Sequence, residues 1–179
     1  ARETERAQLA NRFLTGMIGN ANPFNSGKPL LLVDALDRAA AAIPQQLAGE
    51  PLLEADVRRA IGDAYLALER TDAARVQLDR AAALRAADGG TDYARILGLQ
   101  AQLQWRLARH SAAEALYHEA LAACDDSADG QRLRSELLND NAALLNDVAR
   151  YGEALPLAQQ ALALKERLSG VLPRDRFVN

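Results

Sequence analysis

The chain has 179 residues, 49% of them hydrophobic and 25% charged, with a formal net charge of −3. This balance fits a folded domain or a short repeat array and excludes a disordered segment. Charges of both signs are mixed along the chain, with no basic stripe to displace counterions from phosphate, so no nucleic-acid partner is expected for this fragment.

The hydrophobic excess is Ala and Leu, which lose little side-chain freedom in a helix, and β-branched residues never run together. The chain therefore reads as all-α. Arg2 to Ile18 is an amphipathic helix with Leu9, Phe13, Leu14, Met17 and Ile18 on one side. Gly19 to Pro29 is a loop rich in Asn, Gly and Pro. Leu30 to Leu47 is a second helix, with Leu32, Leu36, Ala39 and Ile43 facing inward. Its run Leu30 to Val33 is the longest apolar stretch and far too short to span a bilayer, so no membrane insertion is expected of this fragment. Gly49-Glu50-Pro51 marks a break, and residues 1–50 are read as a degenerate first repeat.

Three similar segments follow. The first runs from Ile61 to Ala74, then Leu78 and Ala81. The second runs from Ala101 to Ala113, then Tyr117 and Ala120. The third runs from Asn141 to Ala154, then Ala158 and Ala161. Each has a small residue early in its first helix (Gly62, Ala101, Ala142) and a large apolar one closing it (Leu68, Leu107, Val148). A short turn follows, then Ala74, Ala113 or Ala154 early in a second helix. Two antiparallel helices approach closely only where a side chain is little more than a methyl, and the neighbours then fill the groove as ridges. The helix pairs are expected at about 52–87, 91–124 and 131–169. Ala74 to Ala113 spans 39 residues (113 − 74) and Ala113 to Ala154 spans 41 (154 − 113). The surplus is assigned to turn-rich loops at Ala87 to Asp92 and Cys124 to Gly130. Pro156 is placed near a helix start, where its missing N–H would have had no partner.

The small residue, Tyr, Ala, bulky residue and Ala at Gly62, Tyr65, Ala74, Leu78 and Ala81 resemble the tetratricopeptide (TPR) repeat. The second segment departs from that pattern with Gln100 and Gln104, and the third with Asn141. In all three the usual Gly of the inter-helix turn is replaced, by Glu69, Ala108 and Ala149. The third, with Tyr151, Glu153-Ala154, Pro156 and Ala161-Leu162, is similar to the long-loop repeats of kinesin light chains. Gly170 to Asp175 resembles a loop leading to a further repeat. The resemblance implies a right-handed α-solenoid of antiparallel helix pairs that binds a protein or peptide, is not an enzyme and needs no cofactor. Phe13 to Ile18, Ala21 to Phe24, Lys28-Pro29 and Ala35 to Ala39 resemble the segment opening the sensor region of bacterial serine/threonine kinases or CadC-like winged-helix regulators. Ala1 opens into a charged helix with no signal-peptide pattern, and Val178-Asn179 ends abruptly, so a piece of a longer protein is expected. The compartment would depend on a membrane span outside this fragment.

Three candidate chemistries fail on their residues. Asn22 to Pro29 invites a phosphate-loop reading, but Asn22 stands where Gly is needed and Pro29 follows Lys28 in place of Ser or Thr. His110, Glu114 and His118 share a helical spacing, yet nothing nearby completes a metal site. Cys124 has no adjacent base, and Asp125-Asp126 would raise its thiol pKa, so it reads as a small apolar residue.

In the TPR resemblance the first helix of each pair lines a binding groove. Its groove positions fall on Asp56, Arg59, Asp63 and Leu66, then on Arg95, Gln102, Trp105 and Arg106. In the last repeat they fall on Glu136, Asn139, Asn146 and Asp147. Trp and Arg dominate binding hot spots, which favours Trp105 with Arg106; packing of Trp105 between repeats is the competing reading. The carboxylate-clamp positions hold Arg59 with Asp63, Gly98 with Gln102, and Asn139 with Ala143, so no clamp is complete. Two alternatives remain. One is a homodimer paired through the Phe13/Met17 helix or the Leu162/Leu164/Leu168 helix. The other is a groove that senses a small molecule or metal.

Overall fold

The computed structural model describes residues 32–170, and these are helical with no strand among them. The helices are α1 (Leu32–Gln46), α2 (Pro51–Ala67), α3 (Thr71–Arg85), α4 (Gly90–Arg106), α5 (His110–Ala123), α6 (Ala128–Asp147) and α7 (Tyr151–Ser169). The chain divides into two compact units between Arg85 and Ala86. The readings made on residues 1–31 and 171–179 lie outside the described residues.

In the first unit α2 and α3 form an antiparallel pair, and α1 packs on α2. Gly62 sets the closeness of the pair: a Cβ there would lie 2.8 Å from the Leu78 side chain. Ala74, Leu78 and Ala81 of α3 are fully buried against it. Arg58 is buried in the same pair, donating to Glu54 at 2.8 Å and to the side-chain Oε1 of Gln77 at 2.7 Å. Arg85 donates to Asp56 at 2.8 Å across α2 and α3. From α1, Leu36, Ala39 and Ile43 point into the core, whereas Leu32, expected inside, is exposed at the helix start. The buried Tyr65 hydroxyl donates to Asp37 at 2.5 Å.

In the second unit α4 pairs with α5 and α6 with α7, and α6 also packs on both α4 and α5. Ala101 and Ala142 are buried, as their place in the repeat requires, and Ala113, Tyr117 and Ala120 have no exposed surface. Gly98 makes the seat for α6, since a Cβ there would fall 2.6 Å from Leu137 Cδ2. Both inter-repeat loops are shorter than their composition suggests, for Gly90 to Asp92 and Ala128 to Gly130 already belong to helices. Ser127 starts α6 early by accepting a hydrogen bond from the Gly130 N–H at 3.0 Å. The surplus over the common repeat period is therefore spent on longer first helices, 17 residues in α4 and 20 in α6. Pro156 stands a full turn inside α7 rather than at its start. Its missing N–H removes a bond to the Gly152 carbonyl, which lies on the exposed side where water can take it.

The three inter-helix turns share one geometry. Glu69, Ala108 and Ala149 adopt φ of 57°, 56° and 61°, the left-handed region normally given to glycine. The next residue closes each turn, with Arg70 N–H to Tyr65 at 2.9 Å, Arg109 N–H to Gln104 at 2.9 Å and Arg150 N–H to Leu145 at 2.8 Å. These bonds satisfy carbonyls that the helix end would otherwise orphan.

Replacing Ala108 by Gly removes a Cβ penalty of roughly 1 kcal/mol, partly offset by the added freedom of the unfolded chain; urea denaturation should show a gain of up to about 1 kcal/mol. Burial, then the Asp37 hydrogen bond, push the Tyr65 phenol above its ordinary value, and burial does the same to Tyr117. An acid raised by folding contributes stability below its unfolded pKa of about 10 and loses it as pH rises further. The fall in melting temperature between pH 9 and pH 11 should be smaller in Tyr65→Phe than in the wild type.

Candidate protein-binding face

The first helices of the second unit, α4 and α6, carry matching stripes. On α4, Arg95, Gln102 and Trp105 recur at helical spacing, and on α6 so do Asp129, Glu136, Asp140 and Asp147. The stripes meet in three cross-helix contacts. Arg95 Nη2 donates to Asp129 Oδ2 at 2.8 Å, Gln102 Nε2 to Asp140 Oδ2 at 2.9 Å, and Trp105 Nε1 to Asp147 Oδ2 at 2.9 Å.

Trp105 is half-buried. One part of its ring packs on the core cluster of Leu97, Ala101 and Tyr117, and the rest reaches the surface beside Gln102 and exposed Arg106. These three side chains line a recess of about 290 Å³. The hydrogen bond to Asp147 fixes the indole orientation, so the ring presents its surface with little freedom left to lose on binding. Trp105 thus packs between repeats, as the competing reading had it, and keeps part of its ring at the surface. Arg95 and Gln102 are half-buried and engaged, whereas Asn139 and Asn146 on α6 are exposed. Asn139 lines a second recess, between α6 and α7.

In the first unit Arg59 is half-buried and Asp63 exposed on α2. Leu66, expected on the groove side, is instead fully in the core, and Asp56 is held by Arg85. At the clamp positions Gly98 lies beneath Leu137 and is not available to a ligand. Asp129 and Asp140 were missed by the sequence reading, although Glu136, Asp140 and Asp147 follow Asp129 by seven, eleven and eighteen residues, which places all the acids of α6 on one face.

The other candidate groups take ordinary structural places. Cys124 is buried with its thiol against the Ala120 carbonyl, and burial pushes its pKa up. His110 and His118 are exposed, the latter 3.9 Å from Glu114. Glu114 accepts from Arg150 at 2.6 Å, which ties α5 to the turn before α7. Asp125 accepts from Ser127 and Thr91, and these bonds hold its carboxyl below the usual range. Among the described residues no group of three or more His, Cys, Asp and Glu side chains is placed to hold a metal, and no helix there is long and apolar enough to cross a membrane.

Trp105 is the only tryptophan, so its fluorescence reports this face alone. Asp147→Ala should release the indole, shifting the emission maximum to longer wavelength and lowering anisotropy. The stability cost should be only about 0.5 kcal/mol, because the bond lies at the surface.

No protein-family model matches the sequence, and no curated protein matches it. Among solved structures the fold matches that of BtubC (BKLC) from P. vanneervenii, a TPR-like helical protein, with a TM-score of 0.60 and 15% sequence identity. The match covers 80% of this chain and 62% of BtubC, so the chain spans less than two thirds of that protein's length. The chain is thus similar to BtubC in fold: all-α, built from helix pairs as a TPR-like helical repeat.

Proposed function

We propose that this chain is a protein- or peptide-binding scaffold, with the α4–α6 face of the second unit as its contact surface and Trp105 and Arg106 at the centre of it. The observation that carries the reading is the tethered indole: a half-exposed Trp oriented by Asp147, next to a recess and an exposed Arg. Aromatic and Arg side chains of this kind supply most of the energy of an interface when they are held in place beforehand. Gln102 shares the recess beside the indole, and Arg95, Asn139 and Asn146 are further polar candidates along α4 and α6. In the first unit Arg59 and Asp63 are the corresponding candidates. The TPR-like fold supports a role in protein–protein interaction and a non-enzymatic one. The finer reading is that the chain belongs to the sensor region of a bacterial signalling or transcription-regulatory protein and passes partner binding to an effector domain. It rests on the resemblance of the Phe13 to Ala39 stretch.

The test is selection of peptides from a displayed random library on the wild-type chain, followed by affinity measurement on variants. Trp105→Ala should weaken the selected peptides by roughly thirtyfold, the size of a hot-spot loss of about 2 kcal/mol. Arg106→Ala should weaken them severalfold, and His118→Ala, on the second helix, should leave them unchanged. Peptides that bind Trp105→Ala as tightly as the wild type would remove this face from consideration.

A further inference from the structure

Helix α7 leaves an apolar stripe uncovered. Tyr151, Leu155 and Leu162 are 65%, 60% and 57% exposed. With Ala158 and Lys165 they recur at intervals of four and three residues, the spacing of a helix-pairing seam. Beside the stripe an open groove of about 590 Å³ runs between α6 and α7, lined in part by Ser135, Asn139, Leu162 and Leu168.

One repeat earlier the equivalent surface is occupied. The 41-residue offset aligns Tyr117 with Ala158, Leu121 with Leu162 and Gly98 with Asn139. There Tyr117 is fully buried and α6 lies across the pair, with Leu137 seated on Gly98. A surface of this design therefore takes a helix. Two differences change which helix it takes. Asn139 fills the seat that Gly98 leaves open, which bars an aliphatic knob there. Ala158 stands where Tyr117 fills space, which lets a backbone come close along α7.

We propose that this surface receives α7 of a second copy of the chain, antiparallel about a two-fold axis near Ala158. The stripe is complementary to its own reverse, as a two-fold interface requires. Turned about Ala158, Leu155 comes beside Leu162 of the other copy, and Tyr151 stands opposite its Lys165, seven residues away on either side. The charges also match. At the start of α7 Glu153 and Glu114 share the single cation Arg150, which leaves one negative charge in excess, and near its end Lys165 and Arg167 flank Glu166, which leaves one positive charge in excess. Reversal brings unlike ends together and opposes the helix dipoles. An ammonium over the Tyr151 ring adds a cation–π contact. The small residue at the axis sets the spacing, and the two leucines on either side are withdrawn from water.

This inference does not depend on the α4–α6 face, because Trp105 lies on another helix pair. The test is sedimentation equilibrium of the full 179-residue chain from 5 to 200 µM. The expected result is a monomer–dimer equilibrium whose Kd rises at least tenfold in Leu155→Glu and in Leu162→Glu, with unchanged thermal unfolding by circular dichroism. In a Cys124→Ser background, Ala158→Cys should form a disulfide-linked dimer under mild oxidation, and Gln160→Cys should not. A wild-type chain that stays monomeric throughout, or a dimer indifferent to both glutamates, would overturn the proposal. Equal cross-linking at positions 158 and 160 would do the same.

Discussion

Close approach of paired helices at positions with almost no side chain is the constraint on which the architecture rests. At Gly62 the space of a single Cβ is already taken by Leu78, and at Gly98 by Leu137. Ala74, Ala101, Ala113, Ala142 and Ala154 serve the same end with a methyl each. Where side chains are that small, the larger residues one turn away can reach across and fill the groove, so the density of the core depends on the smallest residues in it. A chain with few aromatics can fold on this plan, because Ala and Leu at the right spacing meet both demands.

Much of this was legible before any coordinates. The recurrence of small residues near forty-residue intervals marks the pairs, and Ala74, Ala113 and Ala154 mark where each second helix packs on its first. Turn-rich composition misled at the loops, because Gly90 and Gly130 look like breakers when each stands in the first turn of a helix. Gly130 is buried there and donates its N–H to Ser127, a role visible only once the cap is formed. Leu32 and Leu66 show the limit of periodicity. Each was put on the wrong side by a fraction of a helical turn or by an offset carried from a neighbouring pattern. Pro156 was placed a turn too early for the same reason, since a helix start read from sequence can shift by several residues.

The binding face was legible only in part, for a different reason. The residues of α4 could be picked out by chemistry, because Trp and Arg are rare and conspicuous. The acids of α6 could not, because 24 Asp and Glu residues are spread along the chain and most are simply solvated. Packing sets three of them, Asp129, Asp140 and Asp147, against Arg95, Gln102 and Trp105. What reads as a scatter of charge in one dimension becomes a row of acceptors in three, and its last member, Asp147, orients the indole.

The left-handed turns carry a consequence for how such arrays diverge. Glu69, Ala108 and Ala149 hold a backbone shape usually reserved for glycine because the hydrogen bonds of the following arginines close the turn regardless of side chain. Once backbone bonds and helix packing enforce the bend, the residue that advertises it is free to drift. Duplicated units can then erase their shared spelling while keeping their joints, so ancestry written in letters fades sooner than ancestry written in angles.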